Sequence, residues 1–375
     1  MKMLNFRIAL FSVTAVFIFL LGFFCAKEED LKNIRLLDYK PKSMLQTKVT
    51  IVEKAKFPAI DAHNHLRSVV NSGADVSELV KIMDECNVKA VVNLDGGFGE
   101  NLDKHLKVLK EPYPDRFIVY AWIEWNKVNE PGFSEYSAKQ LEEAVKKGVQ
   151  GLKIFKPLGL GIKDEDGSYL RVDTPKLDAV WEKCGELGIP VTIHVADPVA
   201  FFTPLDRFNE RLEELIEHPD WMFNKPEFYS HDELIEQRNN VIRKHKNTVF
   251  VGAHVGNYPE NLQKVAEYLD EYPNFNVDIC ARLSELGRQP YSTRKFIIKY
   301  ADRVLFGTDG SDAGPINAEM YHVHWRFLET DDEYFDVEKS HHLQGRWRVY
   351  GVYLPDEVLE KIYYLNAKRL IPGIS

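Results

Sequence analysis

From Pro58 onwards the chain alternates between short runs rich in Val, Ile, Phe and Ala and longer segments with helical periodicity. Strand-length apolar runs, each followed by an amphipathic stretch, are the pattern of parallel strands joined by crossover helices. The runs fall at Ala59 to Leu66, Lys89 to Leu94, Arg116 to Glu124, Gly151 to Lys156, Pro190 to Val195, Thr248 to His254, Asn274 to Cys280 and Arg303 to Thr308. Helices are expected at Val76 to Asn87, Asn101 to Lys110, Ser137 to Lys147, Pro175 to Leu187, Asp232 to His245, Glu260 to Glu271 and Ser292 to Tyr300, with a closing helix from Pro355 to Leu370. Eight strands with this complement of helices are what an α/β fold of the (β/α)8 TIM barrel type requires. A doubly wound open sheet is the alternative, and no Gly-rich dinucleotide fingerprint follows the first run to support it. Two stretches break the rhythm, Ala196 to Ser230 and Gly310 to Tyr353, and are expected as insertions after strands five and eight.

The N-terminus stands outside this pattern. Met1-Lys2 and Arg7 precede an uncharged apolar run from Ile8 to Phe24, which ends at Cys25. Residues 1–25 therefore read as a secretory signal and are set apart from the fold. A Cys at that place is the lipidation site of a bacterial lipoprotein signal, although Phe23-Phe24 stands where a small residue is preferred. The alternative is an uncleaved anchor, since the run is just long enough to cross a bilayer. Residues 26–57 read as a tether and edge element, and 58–375 as the barrel. The expectation is an extracytoplasmic, membrane-tethered protein, periplasmic or on the cell surface. A net charge of −9 without any basic cluster argues against a nucleic-acid partner. Cys86, Cys184 and Cys280 lie in apolar patterns without short spacings, so buried packing is expected rather than disulfides.

The chemistry sits at the strand ends. In a barrel, the C-terminal ends of the strands face the active site. His63 and His65 lie two apart on the first strand and should project to one face. His194 ends the fifth strand, His254 ends the sixth, and Asp309 follows the eighth. Singly each signal is weak: an H-x-H is often incidental, and Asp309 could cap a helix. Jointly, three imidazoles and a carboxylate suit one divalent metal ion, with zinc preferred and a position left for water. Such an ion brings the pKa of water close to neutrality.

Asp61-Ala62-His63-Asn64-His65, Ile193-His194, Gly252-Ala253-His254 and Phe306-Gly307-Thr308-Asp309 resemble the amidohydrolase superfamily. The resemblance is to its amidohydrolase-related branch of lactonases, other hydrolases and nonoxidative decarboxylases, and it extends from Ala59 to the C-terminus. It implies that His63, His65, His194 and Asp309 are ligands and that His254 is catalytic or polarises the substrate. Asp309 would accept a proton from the attacking water, and His254 would polarise a carbonyl or stabilise an oxyanion. Asp61, expected on the face of His63, would orient a ligand. Some relatives carry a carboxylated lysine bridging two metals. Lys153 or Lys156 could serve so, while Lys153 contacting a substrate anion or the metal shell is favoured. Arg282 is the second candidate for a substrate carboxylate, with a surface salt bridge as its bland reading.

The expected activity is metal-dependent hydrolysis of an amide, ester or lactone in a small polar substrate. A nonoxidative decarboxylase of a small carboxylic acid is the rival enzyme, and a catalytically silent binding protein the rival of another class. The aromatic insertions, with Phe201, Phe202, Trp221, Phe223, Phe228 and Tyr229 in the first and Trp325, His341, His342, Trp347 and Tyr350 in the second, permit either a lid or a homo-oligomer contact.

Overall fold

The computed structural model describes residues 31–35, 38–311, 314–337 and 344–374. The chain divides into two units, Met1–Gln46 and Thr47–Ser375. In the first, the described residues form a single 3-10 turn at Leu31–Asn33 and an Arg35–Asp38 ion pair. Residues 1–30, with Cys25, lie outside the described residues. Among those described, no helix is long and apolar enough to cross a membrane.

The second unit is an eight-stranded, all-parallel sheet in sequential order. Its strands are β1 (Ala59–Asn64), β2 (Val88–Asn93), β3 (Phe117–Trp122), β4 (Gly151–Ile154), β5 (Val191–Ile193), β6 (Phe250–Gly252), β7 (Phe275–Asp278) and β8 (Val304–Leu305). Backbone bonds at the rim close the ring: Ala62 N donates to Phe306 O, Asp309 N to His63 O and His65 N to Gly310 O, at 3.0, 2.8 and 2.8 Å. Every strand but β2 is shorter than its apolar run, because the residues beyond it turn into the rim.

Alternation along the strands sorts two layers. Ile60, Ala62, Ala90, Val92, Leu94, Ile118, Tyr120, Val251 and Leu305 form a small cluster with Ala367 and Ile371 of the last helical segment. The intervening positions, such as Val91, Phe117, Val119, Leu152, Val191, Phe250 and Val277, pack outward in the larger cluster shared with the helices. Tyr120 fills the interior so tightly that a Cβ on Gly151 would meet its ring at under 3 Å, so only glycine fits there.

The pairing of β1 with β2 slips twice, between Ala59 and Ile60 and between Asp61 and Asn64, and the second slip bears on the centre. Asp61 pairs with Val91 but Asn64 with Asn93, so three residues of β1 advance against two of β2. This bulge switches the faces. Asp61 points outward to Tyr321 of the helix Ala318–Glu329, while His63 points inward. The expectation that the two share a face is corrected on this ground.

Most helices form where expected, with readable ends. Ser230 and Glu233 make a reciprocal capping box at the start of His231–Lys244. Gly148 closes Phe133–Lys147 at φ 113°. The stretch read as a second insertion holds the twelve-residue helix Ala318–Glu329, whose Tyr321, Trp325 and Phe327 are buried core. Its histidines and aromatic residues blurred the apolar period.

Candidate metal centre and its cavity

His63, on the inward side of the β1 bulge, is fully buried. Its Nδ1 lies 2.8 Å from Asp278 Oδ2, and its Nε2 faces Asp309 Oδ1 at 3.4 Å. His65 is placed in the same manner: Nδ1 is 3.0 Å from Asp95 Oδ1 and Nε2 is 3.4 Å from Asp309 Oδ1. A carboxylate on Nδ1 fixes a proton there and turns Nε2 to the centre. The three donors, His63, His65 and Asp309, all lie within 4.8 Å of one another. Residues from the first and last strands thus meet at the barrel seam. Asp309 takes φ 61° to do so, an uncommon conformation for a residue with a side chain.

His194 is brought to the same cavity but outside that group of three. Its ring packs edge-on against His254, centroids 4.5 Å apart. Its Nε2 faces Asp197 Oδ1 at 3.5 Å without a hydrogen bond. Asp197 is held by Lys156 Nζ at 2.6 Å. His254 has φ 56°, its amide donates to Asp278 Oδ1 at 2.7 Å, and its Nδ1 lies 3.1 Å from Cys280 O. Its Nε2 is 3.9 Å from Asp309 Oδ2. Asp278 therefore serves two histidines at once, one oxygen each.

Electrostatics follow from this packing. Burial opposes charge on Asp309, but His63, His254 and His65 more than offset it and hold its carboxyl well below the usual range. Burial also lowers the pKa of His65, yet Asp309 and Asp95 outweigh it and raise the ring to about 9. Burial, then the Arg282 charge, pushes His254 well below the usual imidazole value. His194 falls to about 4, chiefly through burial.

Other expectations shift. Lys153 is inward and buried, and its Nζ sits 3.0 Å from His63 Nε2, so it touches the metal shell and does not line the cavity. Asp61 touches no histidine ring. Its oxygens accept from Thr308 N and Oγ1, Asn64 Nδ2, Tyr321 OH and His63 N, which ties β1 to β8 through the backbone. Burial raises its carboxyl to about 6. The ring-orienting acids are Asp278 and Asp95, which sequence reading passed over. The signal for Asp278 was present: it ends β7 and faces inward by alternation from Asn276. Cys280, expected as inert packing, places Sγ 3.1 Å from His63 Nδ1 and 3.3 Å from His254 Nδ1.

The centre opens into a cavity of about 600 Å³. Trp122, Trp125, Phe155, Phe201 and Trp221 give it aromatic walls, and Arg67, Lys156, Arg211 and Arg282 give it cations. Phe201 and Trp221 come from the first insertion, which is thereby a cavity wall. Trp325 is core instead, and His341 and His342 lie outside the described residues.

Solved structures share the architecture at low identity, which speaks to the fold alone. A 2,6-dihydroxybenzoate decarboxylase complexed with 2,6-dihydroxybenzoate is 14% identical, with TM-score 0.50, over 84% of this chain and 99% of its own. A dihydroxybenzoic acid decarboxylase from Polaromonas sp. JS666, with bound manganese and the inhibitor 2-nitroresorcinol, is 15% identical, with TM-score 0.51, over 84% and 96%. A probable 2-pyrone-4,6-dicarboxylic acid hydrolase from Acinetobacter baumannii, with citric acid bound, is 13% identical, with TM-score 0.50, over 84% and 99%. No curated protein matches the chain. The sequence model for amidohydrolases covers residues 60–373, nearly the whole barrel unit, and the chain belongs to the amidohydrolase family.

Proposed function

We propose that the protein is a metal-dependent hydrolase that adds water to an amide, ester or lactone carbonyl of a small anionic substrate. The carrying observation is the convergence of His63 Nε2, His65 Nε2 and Asp309 Oδ1 on one point, with both Nδ1 atoms committed to carboxylates. His194, in the same cavity, would supply a further imidazole to the ion. Two or three imidazoles and a carboxylate favour zinc. A divalent ion held there would polarise the carbonyl and lower the pKa of water.

The protein's own groups supply the proton transfers. Asp309, ionised and poised between the histidines, accepts the proton of the attacking water. Donation from His254 Nδ1 to Cys280 O leaves its Nε2 a lone pair. His254 must therefore first gain a proton before it can donate to the developing oxyanion or the leaving group. Arg282 receives a substrate carboxylate. Metal analysis of purified protein, followed by a screen of lactones, amides and esters, tests this. Metal-free protein that retains full turnover would end the reading.

The aromatic walls and cations also suit a nonoxidative decarboxylase of a planar acid, the chemistry named for two of the structural neighbours. Release of carbon dioxide, against incorporation of labelled water oxygen, separates the two. We also propose, from residues 1–25 alone, that the chain is tethered outside the cytoplasm through lipid on Cys25. Cys25→Ala should release it from membranes, and unchanged membrane association would refute the tether.

A further inference from the structure

One cation facing the cavity is not neutralised by the protein. Arg282 follows β7 at the N-cap of the helix Leu283–Arg288 and is 5% exposed. It lines the cavity beside His254. Among the described residues its one hydrogen bond runs from Nη1 to Ala281 O at 2.7 Å, its Nε has no partner, and no carboxylate stands at ion-pair distance. Burying a charge without a partner is costly, and the cost is recovered when an anion arrives.

A carboxylate for Arg282 is close at hand in sequence. Glu285 lies three residues on in the same helix, the spacing at which acid and base side chains ordinarily meet. Glu285 is buried, yet it gives Oε1 to Nη2 of Arg211, and its Oε2 has no partner. Arg211, from the insertion after β5, is itself 1% exposed, and its Nη1 holds Glu214 Oε2 at 2.8 Å. The other acid whose field includes Arg282 is the half-buried Glu260; its Oε1 is engaged by Val199 N at 2.9 Å, and its Oε2, without a hydrogen-bond partner, is not at ion-pair distance from Arg282.

We propose that Arg211 is a positioning residue: by capturing Glu285 it keeps Arg282 free to bind the carboxylate of the substrate. The insertion thereby sets the charge preference of a cavity it also walls. This rests on the reading of Arg282 as the anion receptor, and the test separates the two. Benzoate and its neutral match benzamide are titrated by calorimetry into the full-length, metal-loaded protein and again after chelation, so that binding to the metal is subtracted. Wild type should prefer benzoate, and Arg282→Gln should erase the preference. Arg211→Met should weaken benzoate about tenfold and leave benzamide unchanged, and adding Glu285→Gln to it should restore benzoate binding. A preference that survives Arg282→Gln refutes the receptor reading. A preference lost in Arg282→Gln but kept in Arg211→Met, or not restored in the double variant, overturns the role of Arg211 alone. If Arg211→Met does not fold, Glu285→Gln by itself decides: it should bind benzoate at least as tightly as wild type, and weaker binding overturns the proposal.

Discussion

At the level of single residues, the two aspartates Asp278 and Asp61 show how alike acids acquire unlike duties. Asp278 touches the His63 ring and the His254 amide, so it acts on the centre directly. Asp61 touches the backbone of both rim strands and reaches the centre only through it. Carboxylates that orient a ligating histidine are typically worth about 10–100-fold in metal affinity. Asp278→Asn should weaken zinc binding by about that factor with little change in melting temperature. Asp61→Asn should do the reverse, lowering the melting temperature while zinc affinity stays within about threefold. Chelator competition and thermal unfolding on both variants check the pair. Three of the residues that converge here, His63, His65 and Asp309, were legible because a histidine or aspartate at a strand end has few other reasons to be there. The duty of Asp61 was not, because one extra residue in β1 reverses its face and no property of Asp61 announces the bulge.

Among the elements, the order of all eight strands could be read, since burial on both faces forces continuous apolar runs in parallel strands. The helix Ala318–Glu329 escaped notice because its apolar face is built from Met320, Tyr321, Trp325 and Phe327 with His324 among them. The helix His231–Lys244 has the clearest start, with Ser230 Oγ accepting from Glu233 N and Glu233 returning a bond to Ser230 N at 2.8 Å. Ser230→Ala should cost about 1 kcal/mol of stability. Chemical denaturation measures it, with no change in metal content, because the cap lies apart from the centre.

For the molecule as a whole, acid sensitivity should come partly from histidines far from any chemistry. His324 is fully buried, donates Nδ1 to Met320 O at 2.8 Å, and burial lowers it from 6.5 to about 4. The unfolded chain protonates this ring first as pH falls, so the stability it contributes is complete above pH 6.5 and is lost between pH 6.5 and about 4. The loss amounts to about 3 kcal/mol over that span. His105, lowered by burial to the same value, adds to it. His324→Leu should flatten the curve of unfolding free energy between pH 7 and pH 5. A variant with the wild-type slope would show that other groups set the acid limit.

The bond from Asp309 N to His63 O joins two members of the centre that lie 246 positions apart in the chain. A ribosome must therefore have passed residue 309 before a cation can find its full set of donors. Fragments that stop short of residue 309 would lack both the carboxylate and the rim bond that closes the ring. An ion that docks there fastens the beginning of the barrel to its end, so chelation should loosen the seam first, and amides near His63 and Asp309 should exchange their hydrogens before those of β4 and β5.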